Sequence, residues 1–363
     1  MKVAILGTRG VPANYGGFET LAEELGRRLA ERGHDVTVYG RRGFVNPSLG
    51  SYRGMRLVVL PSIRTKHLET VSNTFFSALH AAFARYDAVL LCNAANAVFI
   101  PILRWTGIPV AINVDGLERK RRKWGAAGRA YYRLGERLSA WLPNRLITDA
   151  RVIQRYYRRL YGRISTMIAY GGDLEPPTTS ETLERLGLEP NGYALYVSRF
   201  EPENNPDRVL EAWSRIRSDR RLVMVGGAPY ADDLVRRIRE LADDRVVLPG
   251  TVYGDGYREL LFHCRAYIHA TEVGGTHPAL VEAMGAGRPV LYYDTPENRE
   301  VASGAGVSFC FSGPTALETT LGGLLEDDPK LARLGERSST RVAERYRWSS
   351  VADAYERVLQ SLC

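Results

Sequence analysis

The chain has 363 residues, which is too long for one small domain and predicts about two domains. Its residues are 45% hydrophobic and 25% charged, a composition typical of a folded globular protein that excludes a disordered chain, a collagen-like fibre and a small disulfide-rich domain. The formal net charge of +8 favours acidic partners such as nucleotides, phospholipid head groups or nucleic acid.

The cysteines and the apolar runs predict the compartment. Cys92, Cys264, Cys310 and Cys363 show no CxxC spacing, so they predict buried thiols in a reducing, cytoplasmic setting. No run of 18 or more apolar residues occurs, so no membrane-spanning helix is predicted. The short apolar start has no cleavage site, and no signal peptide is predicted either.

Short apolar runs alternate with helical stretches along the whole chain. In the first half they predict strands at 2–7, 35–40, 55–61, 88–93, 109–115, 145–150 and 166–171. In the second half they predict strands at 193–198, 221–227, 246–250, 266–271, 289–294 and 307–311. Strands that alternate with helices indicate βαβ units and parallel sheets.

A segment rich in glycine, proline, serine and threonine, residues 171–180, separates the two sets of strands and is typical of a linker. The sequence therefore predicts an α/β protein with two Rossmann-like, doubly wound domains, at 1–173 and 186–344. A cleft between two such domains is a usual place for a ligand.

The first strand leads into a glycine-rich loop, residues 7–19, that opens the first helix. Glycines let the backbone approach a ligand closely, and a helix N-terminus favours an anion. The loop has neither the G-x-G-x-x-G spacing of a dinucleotide site nor the lysine of a P-loop. Its residues alone leave open a ligand-binding loop and a plain strand-to-helix connection.

A second glycine turn, Gly274-Gly275, follows the strand at 266–271 and precedes a helix that Pro278 is suited to begin. The unshielded amides of this turn could bind a phosphate. Glu282 points back towards the start of the helix and could accept hydrogen bonds from sugar hydroxyls. An ordinary helix-capping region would explain the same residues.

A lone arginine, Arg199, follows the strand at 193–198. Its guanidinium can bind a phosphate through two hydrogen bonds. By itself, an arginine in this place is more often a surface residue.

Taken together and in order, four motifs resemble those of a known family. They are GTRGVP and YGGFET within residues 7–20, NVDGLE at 113–118, RFEPENN at 199–205, and GGT at 274–276 followed by EAM at 282–284. The chain resembles the family 4 glycosyltransferases of the GT-B fold. Within them it is similar to the rhamnosyltransferase-like branch that builds bacterial surface polysaccharides.

The resemblance implies two Rossmann-like domains that face a cleft, with the donor in the C-terminal domain and the acceptor in the N-terminal one. It implies a final helix, expected at 345–363, that crosses back to the first domain. Arg199 is expected to bind the donor diphosphate, and Glu282 the ribose hydroxyls. The residues implied to bind the donor are Gly16, Gly17, Arg199, Asn205, Val252, Tyr253, Gly274, Gly275, Thr276 and Glu282.

Three positions depart from the family pattern. Gly274 stands where the first glutamate of Glu-x7-Glu is usual, eight residues before Glu282. Asn205 stands where a lysine is usual, six residues after Arg199. The histidine that usually follows the fifth strand of the N-terminal domain is replaced, and Asp115 could take a polar role there. A 6-deoxy sugar such as rhamnose would not need that histidine's contact with a 6-hydroxyl.

The resemblance also implies a reaction. A sugar, with rhamnose from dTDP-rhamnose as the leading expectation, would pass to a glycan or lipid-linked acceptor with retention of anomeric configuration and without a metal or other cofactor. Because charge develops on the leaving diphosphate, stabilising it is the main electrostatic task. Arg199 is the expected catalytic cation, Asp115 is a candidate base, and His277 could approach the sugar.

Residues 118–163 are strongly basic, with 14 Arg and Lys against 3 Asp and Glu, a net charge of +11 (14 − 3). One cluster consists of Arg119, Lys120, Arg121, Arg122, Lys123 and Trp124. Cations mixed with aromatic residues suit an anionic membrane surface, so this cluster is expected to meet a lipid-linked acceptor on the inner face of the plasma membrane. A solvated helical face is the alternative. No recognised nucleic-acid-binding module is present, so nucleic acid is not an expected partner.

Two other functions fit part of the pattern. A sugar-nucleotide epimerase of the same fold would need acid and base residues at the cleft and would transfer no sugar. A sugar-nucleotide or lipid-binding module that has lost activity would explain the missing glutamate and lysine. Release of nucleoside diphosphate that rises with acceptor distinguishes a transferase from both.

Overall fold

The computed structural model of the protein describes residues 1–63, 69–122, 124–227 and 232–363. They form two compact units. Unit 1 consists of Met1–Lys120, Trp124–Tyr170 and Trp348–Cys363, and unit 2 of Arg121–Lys123 and Gly171–Arg347. In the part of the chain that is described, no helix is long and apolar enough to cross a membrane.

The elements of unit 1 up to Tyr170 alternate between strands and helices. They are β1 (Lys2–Leu6), α1 (Gly17–Glu31), β2 (Asp35–Arg41), β3 (Ser51–Tyr52), β4 (Met55–Leu60), α2 (Glu69–Phe83), β5 (Ala88–Cys92), α3 (Ile100–Trp105), β6 (Val110–Val114), α4 (Ala126–Trp141), β7 (Arg145–Thr148), α5 (Arg151–Tyr161) and β8 (Thr166–Met167). Short 3₁₀ helices lie at Ala94–Phe99 and Glu118–Lys120.

Unit 2 repeats the alternation. Its elements are α6 (Glu181–Leu186), β9 (Tyr193–Val197), a 3₁₀ helix (Pro202–Asn204), α7 (Pro206–Trp213), β10 (Arg221–Val225), α8 (Asp232–Leu241), β11 (Val246–Gly250), α9 (Gly254–His263), β12 (Ala266–His269), α10 (Pro278–Gly285), β13 (Val290–Tyr293), α11 (Pro296–Ala302), β14 (Gly306–Phe309), α12 (Leu317–Leu325) and α13 (Asp328–Arg345). The last helix, α14 (Trp348–Gln360), belongs to unit 1.

Each unit has one sheet. The order in unit 1 is β3-β4-β2-β1-β5-β6-β7-β8, and the order in unit 2 is β11-β10-β9-β12-β13-β14. All pairs are parallel except β3 with β4. In unit 2 the strand order reverses between β9 and β12, which is the topological switch point where ligands bind in doubly wound sheets. The expected α/β class with two Rossmann-like, doubly wound units is confirmed.

The hydrophobic core lies on both faces of the first sheet. In β1, Val3 and Ile5 face one cluster with α1, while Ala4 and Leu6 face the other. All four are fully buried. This explains why the strands read as continuous apolar runs, since helices cover both faces.

Every strand that the sequence predicts is present, with ends that differ by a few residues. The structure adds β3, which forms a hairpin with β4 through Arg53 (φ 47°) and Gly54 (φ 80°). Two consecutive positive φ angles are typical of a tight hairpin turn. A two-residue strand carries no periodic signal, which is why the sequence did not reveal it.

The C-terminal helix returns to unit 1, as expected, but it begins at Trp348 rather than at residue 345. Its apolar face, including Trp348, Tyr355 and Leu359, joins the core cluster that contains α1. Arg32 forms ion pairs with Asp353 at 2.7 Å and with Glu356 at 2.6 Å. The return of the chain is therefore held mainly by buried apolar surface, with exposed ion pairs at its edge.

Candidate active site

The candidate donor residues of unit 2 follow two neighbouring strands. β9 pairs in parallel with β12, so both strands end at the same edge of the sheet. Arg199 follows β9, and the Gly274-Gly275 turn follows β12. The switch point of the sheet therefore gathers one guanidinium and one glycine turn, as the sequence predicts from the two strand ends.

Arg199 is partly exposed and pairs with a nearby carboxylate. Its Nη1 lies 3.4 Å from Oε1 of Glu201. The other oxygen of Glu201, Oε2, accepts a hydrogen bond of 2.9 Å from Nη1 of Arg121. One carboxylate thus bridges two guanidinium groups, which fixes their separation.

The Gly274-Gly275 turn packs closely on the residue that begins the next helix. A Cβ atom on Gly274 would lie 2.2 Å from the imidazole ring of His277, so this position has no room for a side chain unless the ring moves. His277 is the N-cap of α10 and Pro278 its first residue, with no side chain capping the helix. The first amides of α10 and the turn provide donors suited to an anion.

Glu282 is buried in α10 and accepts a 2.7 Å hydrogen bond from the hydroxyl of Tyr257. Burial, and after it the Glu282 carboxylate, raises the pKa of Tyr257 well above its ordinary value, so the hydroxyl stays protonated and donates. The contact holds one carboxylate oxygen in place. The sequence did not suggest Tyr257, because 25 residues separate it from Glu282.

Asn205, at the position of the family's lysine, is buried and used internally. Its Nδ2 donates to the carbonyl of Ala270 at 2.9 Å and to Glu272 at 3.1 Å. Glu272 in turn accepts two hydrogen bonds from Nη2 of Arg122, at 2.9 and 3.1 Å. Glu272 lies out of register with the family's glutamate, and the structure shows it in this ion pair.

Val252 and Tyr253 lie between β11 and α9. Tyr253 is the N-cap of α9 and is 46% exposed. Both residues stay predicted contacts for a nucleobase.

The rings of His269 and His277 contact each other beside the glycine turn, with centroids 4.7 Å apart and ring planes tilted by 50°. Burial lowers the pKa of His269 to about 3. Burial, with the His269 ring next, holds the pKa of His277 well below its ordinary value. The charges of Arg121 and Arg199 act in the same direction. Both rings are therefore neutral near pH 7.

The neutral state of His269 predicts acid sensitivity. Below pH 6.5 the His269 imidazole takes up a proton in the unfolded chain but stays neutral in the folded protein. The free energy of unfolding therefore falls as the pH drops towards 3. For this one group the loss reaches up to about 3 kcal/mol at pH 4.5. Urea denaturation at pH 7.5 and 4.5 should show a smaller loss in His269→Gln than in the wild type. Equal losses would contradict the assignment.

In unit 1 the glycine-rich loop is held by two carboxylates of α1. The amide of Arg9 donates to Glu19 at 2.7 Å, and the amide of Ala13 donates to Glu23 at 2.6 Å. Gly16 is the N-cap of α1 in an extended conformation, and Gly17 is the first residue of the helix. The loop is thus shaped by side chains that the sequence analysis had not singled out.

Arg9 and Arg41 lie beside this loop. The Arg9 guanidinium stacks 3.2 Å from the centroid of the Tyr15 ring, and its Nη2 lies 3.6 Å from Glu69. Arg41, at the end of β2, is buried, and burial lowers its pKa to about 10. The neighbouring charge of Arg9 contributes to this lowering, and nearby carboxylates oppose it.

Asp115 follows β6 in unit 1 and is half-buried. Its Oδ1 accepts a 2.9 Å hydrogen bond from the amide of Gly116. The side chain of Asn113, two residues before Asp115, contacts the hydroxyl of Tyr355. Asp115 therefore lies in a polar environment at a strand end of its own unit.

The basic cluster does not form one exposed surface. Arg121 is only 6% exposed, and its Nη1 lies 2.9 Å from Glu201 and 3.3 Å from Glu203. Arg119 pairs with the buried Glu136 at 3.0 Å. The expectation that Arg121 faces a membrane is therefore wrong, because its guanidinium is buried in ion pairs with Glu201 and Glu203.

The other members of the cluster differ among themselves. Arg122 pairs with Glu272, and the Trp124 ring packs on Tyr132 with centroids 4.9 Å apart. Lys120 is exposed. Lys123 lies outside the described residues. Short sequence spacing had suggested a common surface, but ion pairs to distant carboxylates separate these side chains.

Searches against known families match both halves of the chain. Residues 180–341 match the family described as "Glycosyl transferases group 1", and residues 15–174 match "Glycosyltransferase Family 4". The protein is a glycosyltransferase of the GT-B fold. It carries a group 1 domain and a family 4-like domain, as the motifs had indicated.

Curated relatives and solved structures agree with this assignment. The chain is 26% identical to a D-inositol 3-phosphate glycosyltransferase from Xylanimonas cellulosilytica, over 97% of this chain and 95% of the relative. Its fold is similar to that of sucrose-phosphate synthase from Thermosynechococcus elongatus, with a TM-score of 0.82, 19% identity, and coverage of 99% and 98% of the two chains. HepE from Anabaena, solved with UDP and glucose, gives a TM-score of 0.78 with 18% identity and coverage of 99% and 100%.

Among the residues that the structure describes, no group of three or more His, Cys, Asp or Glu side chains is arranged to hold a metal ion. The polar groups at the end of β9 and β12 are instead guanidinium groups, backbone amides and carboxylates that pair with them. Such groups bind a diphosphate through charge-assisted hydrogen bonds.

Proposed function

We propose that this glycosyltransferase uses a nucleoside diphosphate sugar, with a 6-deoxyhexose such as rhamnose as the sugar, and passes it to a glycan or lipid-linked acceptor in cell-envelope polysaccharide synthesis. The observation that supports the donor class is that Arg199 and the Gly274-Gly275 turn follow the neighbouring parallel strands β9 and β12. A guanidinium and a glycine turn before a helix form a combination suited to a diphosphate.

The proposal also specifies the nucleotide and the sugar of the donor. HepE was solved with UDP-glucose, so a UDP-sugar is the first donor to compare with dTDP-rhamnose. The family's histidine contact to a 6-hydroxyl is missing, and Asp115 stands in that segment. This supports a 6-deoxy sugar, which has no such hydroxyl to bind.

The proposed mechanism retains the anomeric configuration. As the bond from the anomeric carbon to the diphosphate oxygen breaks, the acceptor hydroxyl attacks from the same face and gives its proton to the departing phosphate. Arg199 and the amides at the start of α10 stabilise the negative charge that develops on the leaving group. Tyr257 orients Glu282, which accepts hydrogen bonds from the ribose hydroxyls. The acceptor hydroxyl then needs no separate base, so Asp115 is not required as one.

The test is an assay of nucleoside diphosphate release from UDP-glucose, dTDP-rhamnose and GDP-sugars, with and without a polyprenyl-diphosphate glycan acceptor. We expect release that rises with acceptor for one donor, and a product whose anomeric configuration, determined by NMR, equals that of the donor. Release that does not respond to any acceptor would contradict transfer. Interconversion of sugars without release would favour an epimerase.

We also propose that unit 1 docks on an anionic membrane surface through α4 and α5. A groove of about 910 Å³ between these helices is lined by Arg133, Leu134, Arg137, Trp141 and Leu160 among others. Trp141 is 62% exposed and Leu160 56% exposed. The two acidic residues of this region, Glu136 and Asp149, are buried, so the exposed charges of the two helices are all positive.

This docking can be measured by flotation with vesicles. Arg133→Gln/Arg137→Gln/Trp141→Ala should bind vesicles that contain anionic lipid at least about fivefold less than wild type, because it loses two charges and an aromatic anchor. The matched control, Arg236→Gln/Arg299→Gln, removes two exposed charges from unit 2 and should bind normally. Equal binding by all three proteins, or equal binding to neutral vesicles, would contradict the proposal.

A further inference from the structure

Two arginines between β6 and α4 make their ion pairs in unit 2. Arg121 and Arg122 are grouped with unit 2, whereas the residues up to Lys120 and from Trp124 belong to unit 1. Arg121 pairs with Glu201 and Glu203, and Arg122 with Glu272. These three carboxylates lie in the loops that follow β9 and β12, where the candidate donor residues also lie.

The Arg121 guanidinium and the Glu203 carboxylate are both buried, and burying these charges costs free energy. The side chain of Arg121 is 8% exposed and that of Glu203 is 0% exposed. Within the described chain, Oε2 of Glu203 has no hydrogen-bond partner. Burying charged groups is expensive unless they are paired, and such pairs contribute little net stability. A buried arginine that two carboxylates retain is therefore better explained by a binding role than by stability.

The same guanidinium stands beside the candidate diphosphate residues. Oε1 of Glu201 lies 3.4 Å from Arg199, and Oε2 of Glu201 lies 2.9 Å from Arg121. Arg121 and Arg199 both lie close enough to His277, the N-cap of α10, to lower its pKa. Two positive charges thus flank one carboxylate at the start of the glycine-turn helix.

Arg121 provides a positive charge near the position where the family has a lysine and this chain has Asn205. The family's lysine is Asn205 here, and the Asn205 amide is committed to Ala270 and Glu272. Its Oδ1 is buried and has no hydrogen-bond partner in the described residues. With Arg199 alone, the carboxylates of Glu201 and Glu203 would leave the surroundings of a diphosphate negatively charged, and this would oppose its binding.

We infer that Arg121 is a second diphosphate-binding residue, which supplies from the segment after β6 the positive charge that Asn205 does not provide. The inference rests on the proposed donor class. It differs from a purely neutralising role, in which Arg121 would only cancel the charge of Glu203 and never touch the ligand. A direct contact adds charge-assisted hydrogen bonds to phosphate oxygens, each of which is lost when the guanidinium is removed.

A charge-balanced variant separates these two roles. Arg121→Gln/Glu203→Gln removes the pair together and leaves no buried carboxylate unpaired, so its fold is kept where Arg121→Gln alone could unfold. Calorimetry with UDP, dTDP and GDP first identifies the diphosphate that the wild type binds. We then expect the double variant to bind that diphosphate about 10- to 100-fold more weakly, and to bind the corresponding nucleoside, which has no phosphate, as the wild type does.

The controls fix the interpretation. Glu203→Gln alone should bind the diphosphate at least as tightly as the wild type, because it removes a negative charge. Arg215→Gln, whose arginine is exposed on unit 2 and pairs with Glu318, should change the affinity less than threefold. Wild-type affinity in the double variant would show that Arg121 only neutralises Glu203 and would overturn the inference. If the wild type binds no nucleoside diphosphate at all, the proposed function itself fails.

Discussion

Replacing Arg199 by Gln is expected to lower kcat/KM for the sugar donor by about 100-fold or more, which corresponds to about 3 kcal/mol of lost transition-state stabilisation. Arg199 follows β9 at the switch point of the unit 2 sheet, and the glycine turn follows the neighbouring strand β12. In the proposed mechanism the Arg199 guanidinium stabilises the leaving diphosphate. Arg199→Lys keeps the charge but loses the two-pronged geometry, so an intermediate loss is expected.

The fold should tolerate the change at Arg199. Its partner Glu201 retains the ion pair with Arg121, so no carboxylate is left unpaired. The matched control is Arg215→Gln, which removes an exposed arginine on the same unit and should change kcat/KM less than twofold. Steady-state kinetics at several donor concentrations make the comparison. A loss at Arg199 no greater than that of the control would remove Arg199 from the catalytic machinery.

The second large effect concerns stability. Gly285→Ala is expected to destabilise the protein by about 3 kcal/mol or more. A Cβ atom there would lie 1.8 Å from the carbonyl oxygen of Gly172, which is backbone and cannot rotate away. Gly172 itself would place a Cβ 2.5 Å from the carbonyl oxygen of Val281. The segment after Tyr170 and the helix α10 therefore touch through backbone atoms, and this contact positions the helix that carries Glu282.

Gly323→Ala provides the matched control for this prediction. Gly323 lies in α12, and a Cβ atom there would have no neighbour within 4 Å. The same substitution should then be neutral or stabilising by about 0.5–1 kcal/mol, because alanine favours a helix. Urea denaturation of both variants measures the difference. If Gly285→Ala were as stable as Gly323→Ala, the close packing of α10 on residue 172 would be contradicted.

Local patterns were enough to predict the strands and the fold class. The apolar runs at 88–92 and 193–197 are covered on both faces, and they form strands as expected. The positions of Arg199 and Gly274 at strand ends also followed from the order of elements. The order of the strands in the sheet decides which residues at the strand ends become neighbours. The alternation of strands and helices limits this order to a few arrangements.

Contacts between distant parts of the chain could not be predicted in this way. Arg121 and Glu201 are 80 residues apart, and no periodicity links them. The six-residue basic cluster looked uniform in sequence, but Arg121 is buried against Glu203, and Arg119 is partly exposed and paired with the buried Glu136. Lys120 and Arg122 stay exposed, and further exposed cations lie on α4 and α5. Ion pairs between residues far apart in sequence therefore determine the surroundings of Arg121 and Arg119.

The proposed function requires that Arg199 and the amides of the Gly274-Gly275 turn hold the donor diphosphate. The most direct measurement is a crystal structure of the protein with the nucleoside diphosphate that binds it. We expect a phosphate oxygen within about 3.2 Å of the Arg199 guanidinium and another within the same distance of an amide at the turn or at the start of α10. A diphosphate bound elsewhere, with Arg199 and the turn both free of contact, would contradict the account.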